Sequence, residues 1–221
     1  MPVAPENDAV PAAASRVPVD PDAGGRALPV PVLRSSAATD VALIATFAAF
    51  VAVCALLPSI AVPNLAVPIT LQTFGVMLAG VVLGPRRGSL AVLLYLAVGL
   101  AGLPVFAQGT GGLAVLGKPS LGYLLAFPLA AGLAGLLVGR ARSLPTRWLP
   151  VAIFGACAAG SLLLTHPIGI SVMGARLGMG VQEAIAAGAT FLPGDVLKNV
   201  LVAVVATAVF RAFPDLLQRR P

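Results

Sequence analysis

Uncharged apolar runs, interrupted by Gly and Pro rather than by polar residues, dominate the chain from Asp40 onward. The 45 residues from Val41 to Pro85 carry no charge, and further charge-free stretches run from Gly88 to Gly117, Pro119 to Gly139 and Trp148 to Ala175. Each reaches the ~20 residues that cross the hydrocarbon core of a bilayer as a helix. A bilayer supplies no water to backbone N–H and C=O groups, so these runs read as helices rather than as open sheet. A transmembrane β-barrel would alternate polar and apolar positions, which this chain does not do. The fold class expected is therefore an all-α integral membrane protein, with six transmembrane helices at about 40–57, 69–84, 88–103, 121–139, 148–170 and 194–212.

Those helices form one membrane domain over residues 39–213. Residues 1–38 contain seven prolines and mixed charges without apolar periodicity, the composition of a disordered tail. They lack a basic start followed by an apolar stretch, so no cleavable signal peptide is read and the first span serves as the insertion signal. Residues 214–221 form a short C-terminal tail. Arg86 and Arg87, the connection from Arg140 to Arg147, and Arg34, Arg211, Arg219 and Arg220 mark one side of the membrane. Positive charge stays on the cytoplasmic side during insertion, which places these loops and both termini there and requires an even helix count. Lys118 and Arg176 alone are basic on the opposite side, where the connections are Pro58–Pro68, Pro104–Ser120 and Ser171–Pro193. In the last of these, Val181–Ala189 is read either as a short interfacial helix or as surface loop.

Composition removes the soluble alternatives. With 58% hydrophobic and 10% charged residues and a mean hydropathy of +0.98, the chain cannot cover a water-facing surface; its natural surroundings are membrane lipid. A net charge of +6 would suggest a nucleic-acid partner in a soluble protein, but clustering at helix ends accounts for it and no nucleic acid is expected. Cys54 and Cys157 lie inside apolar runs, where thiols act as small hydrophobes, so neither a disulfide nor a redox site is inferred. His166 is the single histidine and has no Cys or carboxylate at ligand spacing, so no metal is expected. Paired carboxylates and a Ser/His/Asp set are also missing, so the chain reads as a non-enzyme without a cofactor.

The costliest segment is Phe191-Leu-Pro-Gly-Asp195-Val-Leu-Lys198, which opens the last apolar run with two opposite charges. Each costs ~2.5–3.5 kcal/mol at mid-membrane on insertion scales, and less toward an interface. At spacing i, i+3 the two share a helix face, and Asp195 in the first turn also meets the positive helix end. A structural ion pair is one reading; a ligand site is the preferred one, since a carboxylate accepts N–H donors while an ammonium donates to a carbonyl or acid. Gln72 sits at the mouth of the second helix, where it either lines a pocket or bonds backbone. His166 is read as packed or interfacial, with a proton relay as the alternative. Gly112-Leu-Ala-Val-Leu-Gly117-Lys118 has the spacing of a phosphate-binding loop but is rejected, because Pro119 follows where a hydroxyl and an N–H are needed and no strand precedes it. Pairs of small residues at spacing four (Ala38/Ala42, Ala45/Ala49, Gly80/Gly84, Gly135/Gly139) read as close helix packing, with a docking face on the first helix as the weaker alternative.

Four stretches together resemble the biotin-specific substrate-binding (S) component, BioY-type, of energy-coupling-factor vitamin transporters: VPITLQTFGVMLAGVVLGPRRG at 67–88, LAVGLAGLPVFAQGTGG at 96–112, LGKPSLGYLLAF at 116–127 and FLPGDVLKNVL at 191–201. The resemblance implies a six-helix membrane subunit in the bacterial cell membrane that captures biotin from outside. It also implies two ATPase subunits and one transmembrane coupling subunit as partners. By the family pattern Asp195 and Lys198 match the acid and base of the biotin pocket, Tyr123 matches an aromatic beside it, and the glycine-rich outer loop around Gly109, Gly111 and Gly112 covers it. The family's Gly-Pro-Thr-Gly-Gly-Tyr reads Lys118-Pro-Ser-Leu-Gly-Tyr123 here, so two small positions differ. For the biotin carboxylate, Lys118, Arg176 and loop backbone N–H groups stand as candidates. Competing expectations are an S component for another vitamin and a self-sufficient secondary transporter of a small organic acid in which Asp195 and His166 relay protons.

Overall fold

The computed structural model describes residues 37–60, 67–214 and 216. The tail expected over 1–38 lies outside these except for Ala37 and Ala38, which already belong to the first helix; of the 214–221 tail, only Pro214 and Leu216 are described. Helix α1 spans Ala37–Leu56, α2 Gln72–Leu83, α3 Pro85–Leu100 and α4 Leu121–Arg140. Helix α5 (Leu149–Gly160) passes through a π turn at Ser161–Thr165 into α6 (His166–Leu177), followed by α7 (Val181–Ala189) and α8 (Leu192–Ala212). Among the described residues, α1, α4, the continuous stretch Thr146–Leu177 and α8 are long and apolar enough to cross a membrane, and α2 is a shorter apolar helix.

Helix α2, buried on nearly every side, packs against α1, α3, α4 and α8. Glycine makes this closeness possible. A Cβ at Gly80 would overlap the backbone of Ala131 on α4, and one at Gly88 on α3 would come within 2.6 Å of the Gly80 Cα. With lipid as apolar as the helices themselves, such backbone approach supplies the dispersion contacts that hold spans together. By contrast Ala38, Ala42, Ala45 and Ala49 on α1 are all exposed.

Boundaries differ from expectation where proline and glycine act as helix ends rather than as loops. Gly84 (φ 86°) closes α2, and Pro85 at once opens α3, because proline lacks an N–H that a first turn would leave unbonded anyway. Arg86 and Arg87 therefore sit on the first turn of α3, where Arg87 pairs with Asp40 of α1 at 2.9 Å. The fifth span does not stop at 170: it runs to Leu177 and ends on Gly178 in the left-handed conformation (φ 66°). Met173 and Gly174 are buried along that extension, so packing overrides the poor helix propensity of its glycine. The connection expected over Ser171–Pro193 shrinks accordingly to a turn, the helix α7 and a second turn. The π turn precedes Pro167, which cannot donate to the preceding turn; the Thr165 hydroxyl bonds the Gly160 carbonyl there at 3.3 Å.

Two apolar clusters form the core. One surrounds Met77, Val81, Ile153, Cys157, Val202 and Phe210. The other, around Val76, Tyr95, Phe106, Tyr123, Phe127 and Phe191, closes one end of the bundle. Helices α2, α4 and α8 all begin at that end, while Arg140 and Arg211 terminate α4 and α8 at the other, roughly 30 Å away for helices of this length.

Candidate ligand-binding site

The first turn of α8 carries the principal charges. Pro193 starts the helix and Asp195 follows in its first turn, where free N–H groups and the helix dipole favour a carboxylate. Lys198, one turn on, brings Nζ to 2.8 Å from Asp195 Oδ1. Thr73, from the first turn of α2, completes a triangle: its hydroxyl donates to Asp195 Oδ1 at 3.2 Å and accepts from Lys198 Nζ at 3.0 Å. Asp195 and Lys198 are 6% and 9% exposed. Taking two ions out of water costs several kcal/mol each, which mutual attraction offsets only when further hydrogen bonds are made, and Thr73 supplies them.

His166 lies on the far side of the carboxylate, its Nε2 3.0 Å from Asp195 Oδ2. The ring is not aligned for a hydrogen bond, so this is a close polar contact, and Nδ1 is buried without a partner among the described residues. After these contacts Lys198 keeps one N–H and Asp195 keeps acceptor capacity. The pair can thus grip a group that offers N–H donors beside a carbonyl.

A cavity of about 280 Å³ opens from this pair, near the lower end of the ~300–1,000 Å³ typical of small-molecule sites. Asp195, Lys198, Tyr123, Gln72 and Lys118 all line it. Gly111 and Gly112 do not. Their role is in the turn: a Cβ at Gly111 would overlap the Leu103 carbonyl, and Gly112 takes a positive φ of 76° while its N–H bonds Gly99 O at 2.7 Å. Gln108 and Thr110 of the same loop reach the cavity instead. Gln108 adopts φ 60°, a left-handed conformation uncommon for a side-chain-bearing residue.

Gln72 lines the cavity, and its side chain bonds another side chain rather than backbone. Its N–H bonds Thr70 Oγ1 at 3.3 Å, and its side-chain Nε2 donates to Tyr95 OH at 2.9 Å. Tyr95 in turn donates to Val105 O at 3.2 Å. The phenol has one proton and spends it on Val105, so Gln72 must present its NH2 to the ring and keep its carbonyl oxygen as the remaining acceptor. Tyr95 also meets Phe106 edge-on at 5.4 Å, and Phe106 occupies the space that a Cβ on Gly99 would need. The loop over the cavity is anchored to α3 through these contacts. On the opposite wall the Tyr123 ring fills the space above Gly169 and meets Phe191 at 5.6 Å; its hydroxyl is buried with no partner among the described residues.

Two contributors escaped sequence reasoning. Thr73 stands beside Gln72, but its link to α8 spans 122 residues. Tyr95 lies mid-helix and looks like ordinary core. His166, which the sequence pairs with Asp195 only in the proton-relay alternative, is buried beside it. Among the described residues no group of three His, Cys, Asp or Glu could hold a metal ion.

A multi-span helical protein with a largely buried, polar-floored chamber at one end of its bundle belongs to the class of membrane proteins that capture small solutes. Comparison with known proteins makes the assignment specific: the chain belongs to the BioY family, whose model matches residues 28–215. It is 38% identical to the biotin transporter BioY of Rhizobium etli over 177 residues, covering 79% of this chain and 95% of that one. It is also 38% identical to the biotin transporter BioY of Rhodobacter capsulatus over 192 residues, 82% of this chain and 98% of that one. The crystal structure of the S-component for biotin from an ECF-type ABC transporter superposes with a TM-score of 0.73 at 27% identity, covering 79% of this chain and 92% of that chain.

Proposed function

We propose that this chain is the biotin-binding S component of an ATP-driven, ECF-type vitamin transporter of the bacterial plasma membrane, and that it has no enzymatic activity of its own. The observation that carries this reading is the Asp195–Lys198–Thr73 triangle in the wall of the cavity. The ureido group of biotin has two N–H donors and a carbonyl, which complement the free acceptor capacity of Asp195 and the remaining N–H of Lys198. Its fused rings suit the wall of Tyr123, Phe127 and Phe191.

The chain crosses the membrane six times, with both termini in the cytoplasm and the chamber facing outward. Support comes from the Arg-bearing helix ends, which lie opposite the chamber. Two ATPase subunits and a transmembrane coupling subunit drive uptake, and the exposed small-residue stripe of α1 offers the latter a surface for close helix packing. Equilibrium binding of labelled biotin to the detergent-purified subunit tests the reading; a folded protein that ignores biotin but binds thiamine or riboflavin would assign it to another vitamin.

One observation favours a second reading, proton-coupled secondary transport: His166 lies 3.0 Å from Asp195. Biotin uptake by vesicles lacking any ATPase, abolished by an uncoupler, would establish it.

A further inference from the structure

The cavity wall holds three charged side chains, Asp195, Lys198 and Lys118. Lys198 is neutralised by Asp195. Lys118, half-buried, has no acceptor or ion partner among the described residues. The chamber as built therefore carries an unbalanced positive charge. Lys118 immediately precedes α4, and Pro119 and Ser120 of that helix start also face the cavity. Ser120 does not cap the helix with its side chain, so first-turn N–H groups and the positive helix end add to the field of the ammonium. The Tyr123 ring, one turn into α4 on a residue only 8% exposed, also lines the cavity.

Two of the other candidates are engaged elsewhere. Arg176 Nη2 bonds the Leu116 carbonyl at 3.0 Å and is not in the wall, so it braces the loop that carries Lys118. The N–H of Gly112 is committed to Gly99.

Resting on the biotin reading above, we infer that Lys118 at the start of α4 binds the carboxylate of the ligand, so that the chamber selects a monoanionic solute held at both ends. Asp195 and Lys198 read the neutral head; Lys118 and the start of α4 read the charged tail.

The test compares biotin with biotin amide, its uncharged carboxamide, on the wild type and on Lys118→Met and Lys118→Arg, each purified in detergent and shown to be monodisperse. A half-exposed charge-assisted contact gives on the order of a tenfold preference for biotin in the wild type. Lys118→Met abolishes that preference by weakening biotin alone, and Lys118→Arg retains it. Equal weakening of both ligands in Lys118→Met, or wild-type protein that binds acid and amide alike, overturns the inference while leaving the biotin assignment intact. Wild-type protein that binds neither ligand overturns the assignment and this inference with it.

Discussion

Asp195→Asn removes one negative charge from the chamber and almost no volume, so its consequences isolate the electrostatics of the site. It strips Lys198 of a carboxylate 2.8 Å away while leaving the bond to Thr73 at 3.0 Å. Removing one partner of a buried ion pair costs ~3–5 kcal/mol, and the surviving threonine contact places the expected loss at about 3 kcal/mol. Ligand binding loses a charge-assisted hydrogen bond, ~1.5–3 kcal/mol, which is about 10- to 150-fold in Kd. Thermal unfolding in detergent reads the first quantity and equilibrium binding of labelled biotin the second. The double variant Asp195→Asn/Lys198→Met separates them. With both charges gone no orphaned ion remains, so stability returns to within about 1 kcal/mol of wild type, whereas binding stays lost. Near-wild-type affinity in the single variant, or a double variant as unstable as the single one, would refute the argument that these two charges sustain each other in order to hold a ligand.

Tyr95→Phe keeps the ring against Phe106 but deletes the hydroxyl that joins Gln72 to Val105. A stability loss of ~1–2 kcal/mol is expected for two buried hydrogen bonds, together with faster hydrogen exchange of backbone amides at 103–112, measured by mass spectrometry. Gly169→Ala drives a methyl into the Tyr123 ring, an overpacking cost of ~1–3 kcal/mol, and displaces the ring from the cavity wall. Biotin affinity, measured by equilibrium binding, falls in that variant.

The apolar runs made the helices legible because a bilayer leaves the backbone no other solution, and the cost of Asp195 and Lys198 made the site legible because so few charges occur where water is scarce. Helix ends were less so. Pro85 and Pro193 read as connections but lie in the first turns of helices, and Gly174 reads as part of a connection although tight packing keeps the chain helical to Leu177. One partner of the charged pair was hidden for a different reason: Thr73 reaches Asp195 across 122 residues of chain, and no local pattern encodes a tertiary contact. In the glycine-rich stretch the conformation of each residue decides which side chains face the cavity. Gly111 and Gly112 shape the turn so that Gln108 and Thr110, rather than themselves, face inward.

The single proton of Tyr95 has a consequence for selectivity. Because it is committed to Val105, the phenol can only accept from Gln72, and this fixes which end of the amide faces the ring. The second N–H of the amide stays available without any rotation, whereas turning the amide over forfeits its bond to Tyr95 or draws the phenol proton from the Val105 tether. A solute that presents an acceptor opposite the Gln72 oxygen therefore meets a repulsion that the amide cannot relieve without giving up one of these two bonds.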